Sequence, residues 1–128
     1  MRKGGRNVKQ GTTLKLPVKF TGIDLDKVSS IEFIFTQHDF IGAPVLKEAL
    51  WVKDDENETA FRSTTMQNVI LIPWTSGDTY AFEQKRNFFL DTKIHISGTE
   101  DNPATPIIAL KMTPTLFEEG QVANDGFG

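Results

Sequence analysis

Cysteine is absent from the 128 residues, which excludes disulfide bonds, thiolate metal ligands and a cysteine nucleophile. Histidine occurs only at His38 and His95, in no spacing typical of a two-histidine metal site. The sequence has no Gly-x-Ser-x-Gly elbow for a serine nucleophile, no glycine-rich phosphate loop, and no apolar run of transmembrane length. It therefore predicts a protein with no enzymatic activity, no cofactor and no membrane insertion.

The composition is that of a globular domain whose aromatic residues are mostly phenylalanine. Hydrophobic residues make up 38% and charged residues 24%, which is ordinary for one domain of this length. Ten phenylalanines stand against one tyrosine and two tryptophans, which indicates aromatic side chains that fill a core. The start MRKGGR has the charge of a signal peptide but no apolar segment after it, so we expect no signal peptide and synthesis in a reducing cytoplasm.

Alternation of apolar and polar residues predicts strands along the first half of the chain. From Leu14 to Phe20 every second residue is apolar, and Pro17 on the opposite side favours a sheet edge. Ser30–His38 alternates in the same way, but Ile34 makes its outward side apolar too, which indicates a central strand or a contact surface. Further strands are predicted at Val45–Lys53, whose middle Leu46–Leu50 fits a helix equally well by propensity, at Thr59–Met66 on an edge, and at Ile107–Thr113.

The stretch Val69–Ile96 organises the rest of the chain. It opens with a β-branched apolar run that indicates a buried strand, which we expect to end at Pro73. Thr75 is placed to cap a helix with Asp78 in its first turn, and a second alternating strand follows. This order is typical of a chain that crosses from one sheet of a β-sandwich to the other.

Together these patterns predict an all-β, immunoglobulin-like (Ig-like) antiparallel β-sandwich of about seven strands, with one short helical turn near 75–82. The cysteine and tryptophan pattern of antibody domains is missing. We expect the sandwich to span 11–116, between a basic arm at 1–10 and a glycine-rich acidic tail at 117–128.

The two ends differ in charge and are candidates for protein contacts. Residues 1–20 hold six basic and no acidic side chains, whereas 117–128 hold three acidic and no basic ones. The arm has no aromatic residue to stack on a base and the pI is acidic, which disfavours nucleic acid as the partner. The predicted interaction residues are Arg2, Lys3, Arg6, Lys9, Ile34, Glu118, Glu119 and Phe127.

Two ligand hypotheses remain open from the residues alone. Asp54–Glu58 has four carboxylates in five residues but lacks the spacing of an EF-hand, so a solvated hairpin tip and a calcium loop both fit. The second hypothesis is a carbohydrate-binding module for cell-surface glycan, with Trp51, Trp74 and Tyr80 as an aromatic platform. Filling the sandwich core is the simpler role for these three side chains.

Three segments resemble the small β-sandwich domains of tailed-bacteriophage tail and baseplate proteins, in particular the amino-terminal domain of baseplate upper proteins. The segments are a lead at Lys9–Thr12 (KQGT), a corner at Thr75–Phe82 (TSGDTYAF) and a strand at Leu90–Ile96 (LDTKIHI). The resemblance covers roughly 8–116 and carries no catalytic residue. It implies a structural protein of a phage or phage-derived particle, a homo-oligomer that contacts other phage structural proteins and is assembled in the host cytoplasm into the virion.

Overall fold

The computed structural model describes residues 7–55, 59–98, 103 and 105–116. Its strands are β1 (Asn7–Lys9), β2 (Leu14–Lys19), β3 (Val28–Thr36), β4 (Val45–Val52), β5 (Phe61–Arg62), β6 (Val69–Trp74), β7 (Arg86–Ile96) and β8 (Ile108–Thr113). A 3₁₀ helix at Leu25–Lys27 precedes β3, and the helix α1 (Ser76–Tyr80) lies between β6 and β7.

The strands form two sheets. The five-stranded sheet has the order β1-β8-β7-β3-β4, and the three-stranded sheet has the order β2-β6-β5. All neighbours are antiparallel except β1 and β8, which are parallel. The chain is an all-β, Ig-like sandwich with one short helix, which confirms the predicted fold class.

Aromatic side chains fill the space between the sheets. The rings of Phe35 and Trp74 meet edge to face with their centroids 4.9 Å apart, and this contact joins β3 of one sheet to β6 of the other. Phe82 and Phe88 extend the cluster, with centroids 5.1 Å apart. The predicted inward residues of β2 and β3 are buried, except Leu14, which is partly buried against the core. Aromatic residues therefore serve as core filler, as the composition indicated.

The segment assigned to the basic arm enters the sandwich earlier than predicted. Asn7–Lys9 is a strand beside β8, with Val8 opposite Met112 and only 2% exposed. Gln10 is buried as well. The sequence did not predict this strand, because three residues with a single apolar side chain show no alternation of apolar and polar residues. Its partner β8 lies near the other end of the chain.

Strand β6 also continues further than predicted, through Pro73 and Trp74. Pro73 lies opposite Lys15 of β2, whereas β5 pairs only with Ile70 and Leu71. The proline therefore interrupts no ladder on the β5 side, since none reaches it. Pro17 lies on β2, an edge strand of the described sheet, as predicted.

The crossing between the sheets has the capping chemistry that the sequence indicated. Oγ1 of Thr75 accepts a hydrogen bond from the Asp78 amide at 3.1 Å, and Asp78 Oδ2 accepts one from the Thr75 amide at 2.8 Å. This reciprocal pair is a capping box, which satisfies two backbone donors at the start of α1. β6 belongs to the three-stranded sheet and β7 to the five-stranded one, so α1 is the corner between them.

A candidate protein-contact face

One side of the five-stranded sheet faces away from the core. We call the outward residues of β3, β4 and β7 the outer face. Ile34 is at its centre, opposite Glu48 of β4 and Asp91 of β7. The remaining rows of this face are Leu50–Glu32–Lys93, Val52–Ser30–His95 and Val45–Thr36–Phe89.

The outer face exposes more apolar surface than a solvated sheet needs. Ile34 is 37% exposed and Phe40, in the loop after β3, is 59% exposed. Ile41 and Ile107 are exposed beside them. These residues line a depression of about 300 Å³, and a second depression of about 390 Å³ shares Ile34 with it. A contiguous apolar patch with a polar rim is typical of a surface that binds another protein.

Acidic side chains surround this apolar centre. Glu48 and Asp91 flank Ile34 on the two neighbouring strands. Glu32 is paired: its Oε2 lies 2.7 Å from Nε2 of His95. Lys93 is opposite Glu32 and supplies the basic charge of that row. The centre of the outer face is therefore apolar, with an acidic side chain on each side of Ile34.

The predicted interaction residues are placed unequally by the structure. Ile34 points outward from a central strand, as predicted. Lys9 is exposed on β1, at the opposite edge of the same sheet from β4. The structure does not bring Lys9 onto the outer face with Ile34. The other six, Arg2, Lys3, Arg6, Glu118, Glu119 and Phe127, lie outside the described residues.

A polar cluster that the sequence did not reveal lies at the inner edge of β4. Lys47 lies opposite Phe35 and alternates in phase with the buried Ala49 and Trp51, which places it on the inward side of β4. Its side chain is only 11% exposed. Lys47 Nζ lies 3.0 Å from Asp78 Oδ2 and 5.2 Å from the centroid of the Trp74 ring. The carboxylate and the indole face together compensate the partly buried ammonium group.

The Asp78 carboxylate has a perturbed pKa. Burial acts to raise it, but the hydrogen bond from the Thr75 amide and the ammonium of Lys47 outweigh burial, so the pKa lies below its ordinary value. The charged carboxylate thus links β4, the end of β6 and α1.

The lead and the corner that resemble phage proteins pack against each other. Gln10 Nε2 donates to the Phe82 carbonyl oxygen at 2.9 Å, and Gln84 Nε2 donates to Gln10 Oε1 at 2.6 Å. Gly11 is in the left-handed region, with φ +87°, and lies against the Tyr80 hydroxyl. These contacts hold the two segments together.

The two ligand hypotheses fare differently. Trp51 and Trp74 are buried in the core, which agrees with the simpler role of core filling, so these two side chains form no exposed platform for a sugar. The proposed calcium loop falls partly on 56–58, outside the described residues. Across the described parts of the chain, no three acidic, histidine or cysteine side chains cluster as metal ligands. Asp26 is paired with Arg62 at 2.7 Å, and the hydrogen bond from that guanidinium lowers the pKa of the Asp26 carboxyl group.

Of the helices in the described residues, none has the length and apolar character needed to cross a membrane.

No protein family and no curated protein matches the sequence. Among solved structures, the chain is similar to extracellular domains of the voltage-gated sodium channel beta4 subunit, described as parallel homodimers with a role in cell–cell adhesion. The identity is 12% over 91% of this chain and 97% of that one, with a TM-score of 0.38. A structure from a photo-crosslinking study of multimeric cell-adhesive interactions of sodium channel beta subunits is 15% identical. It covers 87% of this chain and 90% of that one, with a TM-score of 0.45. Similarity at this level carries no information on function.

Proposed function

We propose that the chain is a non-enzymatic structural protein of a phage or phage-derived tail or baseplate particle, and that it acts through protein–protein contacts of its outer face. The observation that carries the proposal is the exposed apolar surface formed by Ile34 on the outer face and by Phe40 and Ile41 in the loop after β3. The partners in the proposal are further copies of the chain and other structural proteins of the particle.

Physical chemistry favours a binding role for this face over a purely solvated one. Ile34 lies on β3, which has a neighbouring strand on each side. Its side chain points away from the core and therefore contributes nothing to the packing between the sheets. Covering exposed apolar surface stabilises a complex by roughly 25 cal/mol per Å². Rows of charged residues around the apolar centre give such a contact its orientation.

The assignment of the protein to a phage or phage-derived particle is based on the sequence resemblance. Two of the three resembling segments, Lys9–Thr12 and Thr75–Phe82, are in direct contact through Gly11 and Thr79. A pattern shared at two distant segments that touch is easier to explain by a common fold design than by chance similarity at either one. The proposal places assembly in the host cytoplasm and the mature protein in the virion.

The test uses the full-length protein together with the proteins encoded by its flanking genes. In size-exclusion chromatography with light scattering, we expect the unaltered protein to form a complex and Ile34→Arg to lose it. Met66→Arg is the matched control, because Met66 is similarly exposed but lies in the loop between β5 and β6. If Ile34→Arg assembles like the control, the outer face is not the contact surface. Flanking genes that encode no tail or baseplate protein would contradict the particle assignment.

A further inference from the structure

The opposite side of the sandwich also has a mixed apolar and charged surface. We call the outward residues of the three-stranded sheet the back face. They are Lys15, Pro17 and Lys19 on β2, Phe61 on β5, and Val69, Leu71 and Pro73 on β6, and of these Val69 is buried. The inward residues of the same strands, among them Leu16, Ile70 and Ile72, are buried in the core.

The back face is basic where the outer face is acidic. Its outward residues include two lysines, Lys15 and Lys19, and no acidic residue, whereas Arg62 lies opposite the buried Ile70 and is paired with Asp26. Lys15 Nζ lies 5.3 Å from the centroid of the Phe61 ring, which holds the ammonium group over the apolar surface. Lys19 is exposed at the other end of β2. Pro17 and Leu71 are opposite each other between the two lysines.

The two faces therefore have a similar arrangement of two charged residues around apolar ones, and their charges are opposite in sign. On the outer face, Ile34 lies between Glu48 and Asp91, which are two strands or about 10 Å apart. On the back face, Lys15 and Lys19 are four residues or about 13 Å apart along one strand. The flexible lysine stems can span the difference. Because one charge pair runs across the strands and the other along a strand, the match sets the strands of the two faces at a steep angle.

Resting on the proposed function of the outer face, we propose that its partner is the back face of a second copy, so that copies associate head to tail. A two-fold pairing of two outer faces would instead bring acidic surface against acidic surface, which is unfavourable. A head-to-tail contact leaves one outer face and one back face free at the ends. It builds a ring where the rotation closes, and a filament where it does not.

The size of the back face indicates how strong the contact between two copies should be. Six residues of β2 give a length of about 20 Å, and three strands give a width of about 10 Å. The resulting few hundred Å² is well below the roughly 800 Å² that each partner buries in a standard interface. The contact should therefore be weak for a single pair, concentration-dependent and reduced by salt, because its charges are exposed.

The test uses full-length protein in sedimentation velocity at about 0.1–1 mM, the range in which weak contacts are populated. The front variant carries Glu48→Lys and Asp91→Lys, and the back variant carries Lys15→Glu and Lys19→Glu. A control with Lys27→Glu and Lys85→Glu has the same charge change as the back variant, on residues of neither face. Melting curves verify that every variant folds.

We expect the unaltered protein and the control to associate beyond dimers, and each face variant alone to be a monomer. An equimolar mixture of the two face variants should associate again, because each has one intact face and the two reversed faces are also opposite in charge. If the back variant alone still dimerises while the front variant does not, the outer face pairs with itself. The head-to-tail inference is then wrong and the contact role of the outer face survives. An unaltered protein that stays monomeric also overturns the inference, and the assembly test with flanking proteins then decides the function separately.

Discussion

The backbone amide of Gly11 donates a hydrogen bond to Oγ1 of Thr79, 2.7 Å away. The same hydroxyl donates to the Ser76 carbonyl oxygen at 2.8 Å, so Thr79 joins the segment before β2 to the first turn of α1. Thr79 is fully buried although the helix has only five residues. A helix this short is not stable by itself. Contacts with the Gly11 segment, together with the capping box, therefore hold the corner in place.

Replacing Gly11 should destabilise the protein more than replacing another glycine of the same conformation. Gly11 and Gly42 have φ of +87° and +85°, where alanine costs about 1–2 kcal/mol. An added Cβ at Gly11 would lie 3.0 Å from the Tyr80 hydroxyl oxygen. At Gly42, an added Cβ would have no heavy atom of the described residues within 4 Å, apart from its chain neighbours. Urea unfolding should show a larger loss for Gly11→Ala than for Gly42→Ala. Equal losses would mean that the contact with Tyr80 relaxes freely.

Strand β1 should contribute measurably to stability. Val8 is 2% exposed and faces the core, whereas its neighbour Lys9 is exposed. Val8→Ala removes buried apolar surface and should lower the free energy of unfolding by roughly 1–2 kcal/mol. Lys9→Ala, the matched control on the same strand, should change it by less than about 0.5 kcal/mol. A Val8→Ala protein as stable as the control would return β1 to the status of a loose arm.

The Asp78 carboxylate predicts a specific loss of stability in acid. Its folded pKa is lowered, so its contribution is present above the unfolded pKa of about 3.9 and disappears as the pH falls through the lower folded value. Asp78→Asn removes the charge beside Lys47, and the variant should be less stable than the unaltered protein at pH 7. The difference should narrow below about pH 4. Asp26→Asn at the exposed Arg62 pair should change stability less at either pH. A difference for Asp78→Asn that is constant with pH would contradict this role.

The aromatic cluster predicts a large effect at Phe35 and almost none at Phe40. Phe35 has no exposed surface and contacts both Trp74 and Phe88. Phe35→Ala should cost about 3–5 kcal/mol, which is a large part of the stability of a domain this size. Phe40→Ala should lie within about 0.5 kcal/mol of the unaltered protein in a melting or urea experiment, because Phe40 is on the surface. Similar losses for both would contradict the assignment of core and surface.

The parts of the fold that could be read from the sequence are those with a local signal. Alternation placed Leu16 and Phe33 inward and Ile34 outward, and the Thr75 and Asp78 spacing located α1. Lys47 could not be placed in this way, because both sides of β4 carry apolar residues, such as Leu50 and Trp51, and alternation alone does not say which side faces the core.

The candidate site was only partly predictable for a related reason. Ile34 was identifiable because an apolar residue on the outward side of a strand breaks the usual pattern. Its acidic neighbours Glu48 and Asp91 come from strands far apart in sequence, and only the register of the sheet brings them beside it. The match between the outer face and the back face is a property of two sheets, which no single segment encodes.

The pairing of β1 with β8 also has a consequence for the order of folding. Val8 lies beside Met112, 104 positions later in the chain (112 − 8). Closing a loop of that length is costly in chain entropy, and during synthesis β1 has no partner until nearly all the sandwich has left the ribosome. We therefore expect β1 to dock after the rate-limiting step. Val8→Ala should then leave the refolding rate almost unchanged and accelerate unfolding, which stopped-flow measurements would reveal.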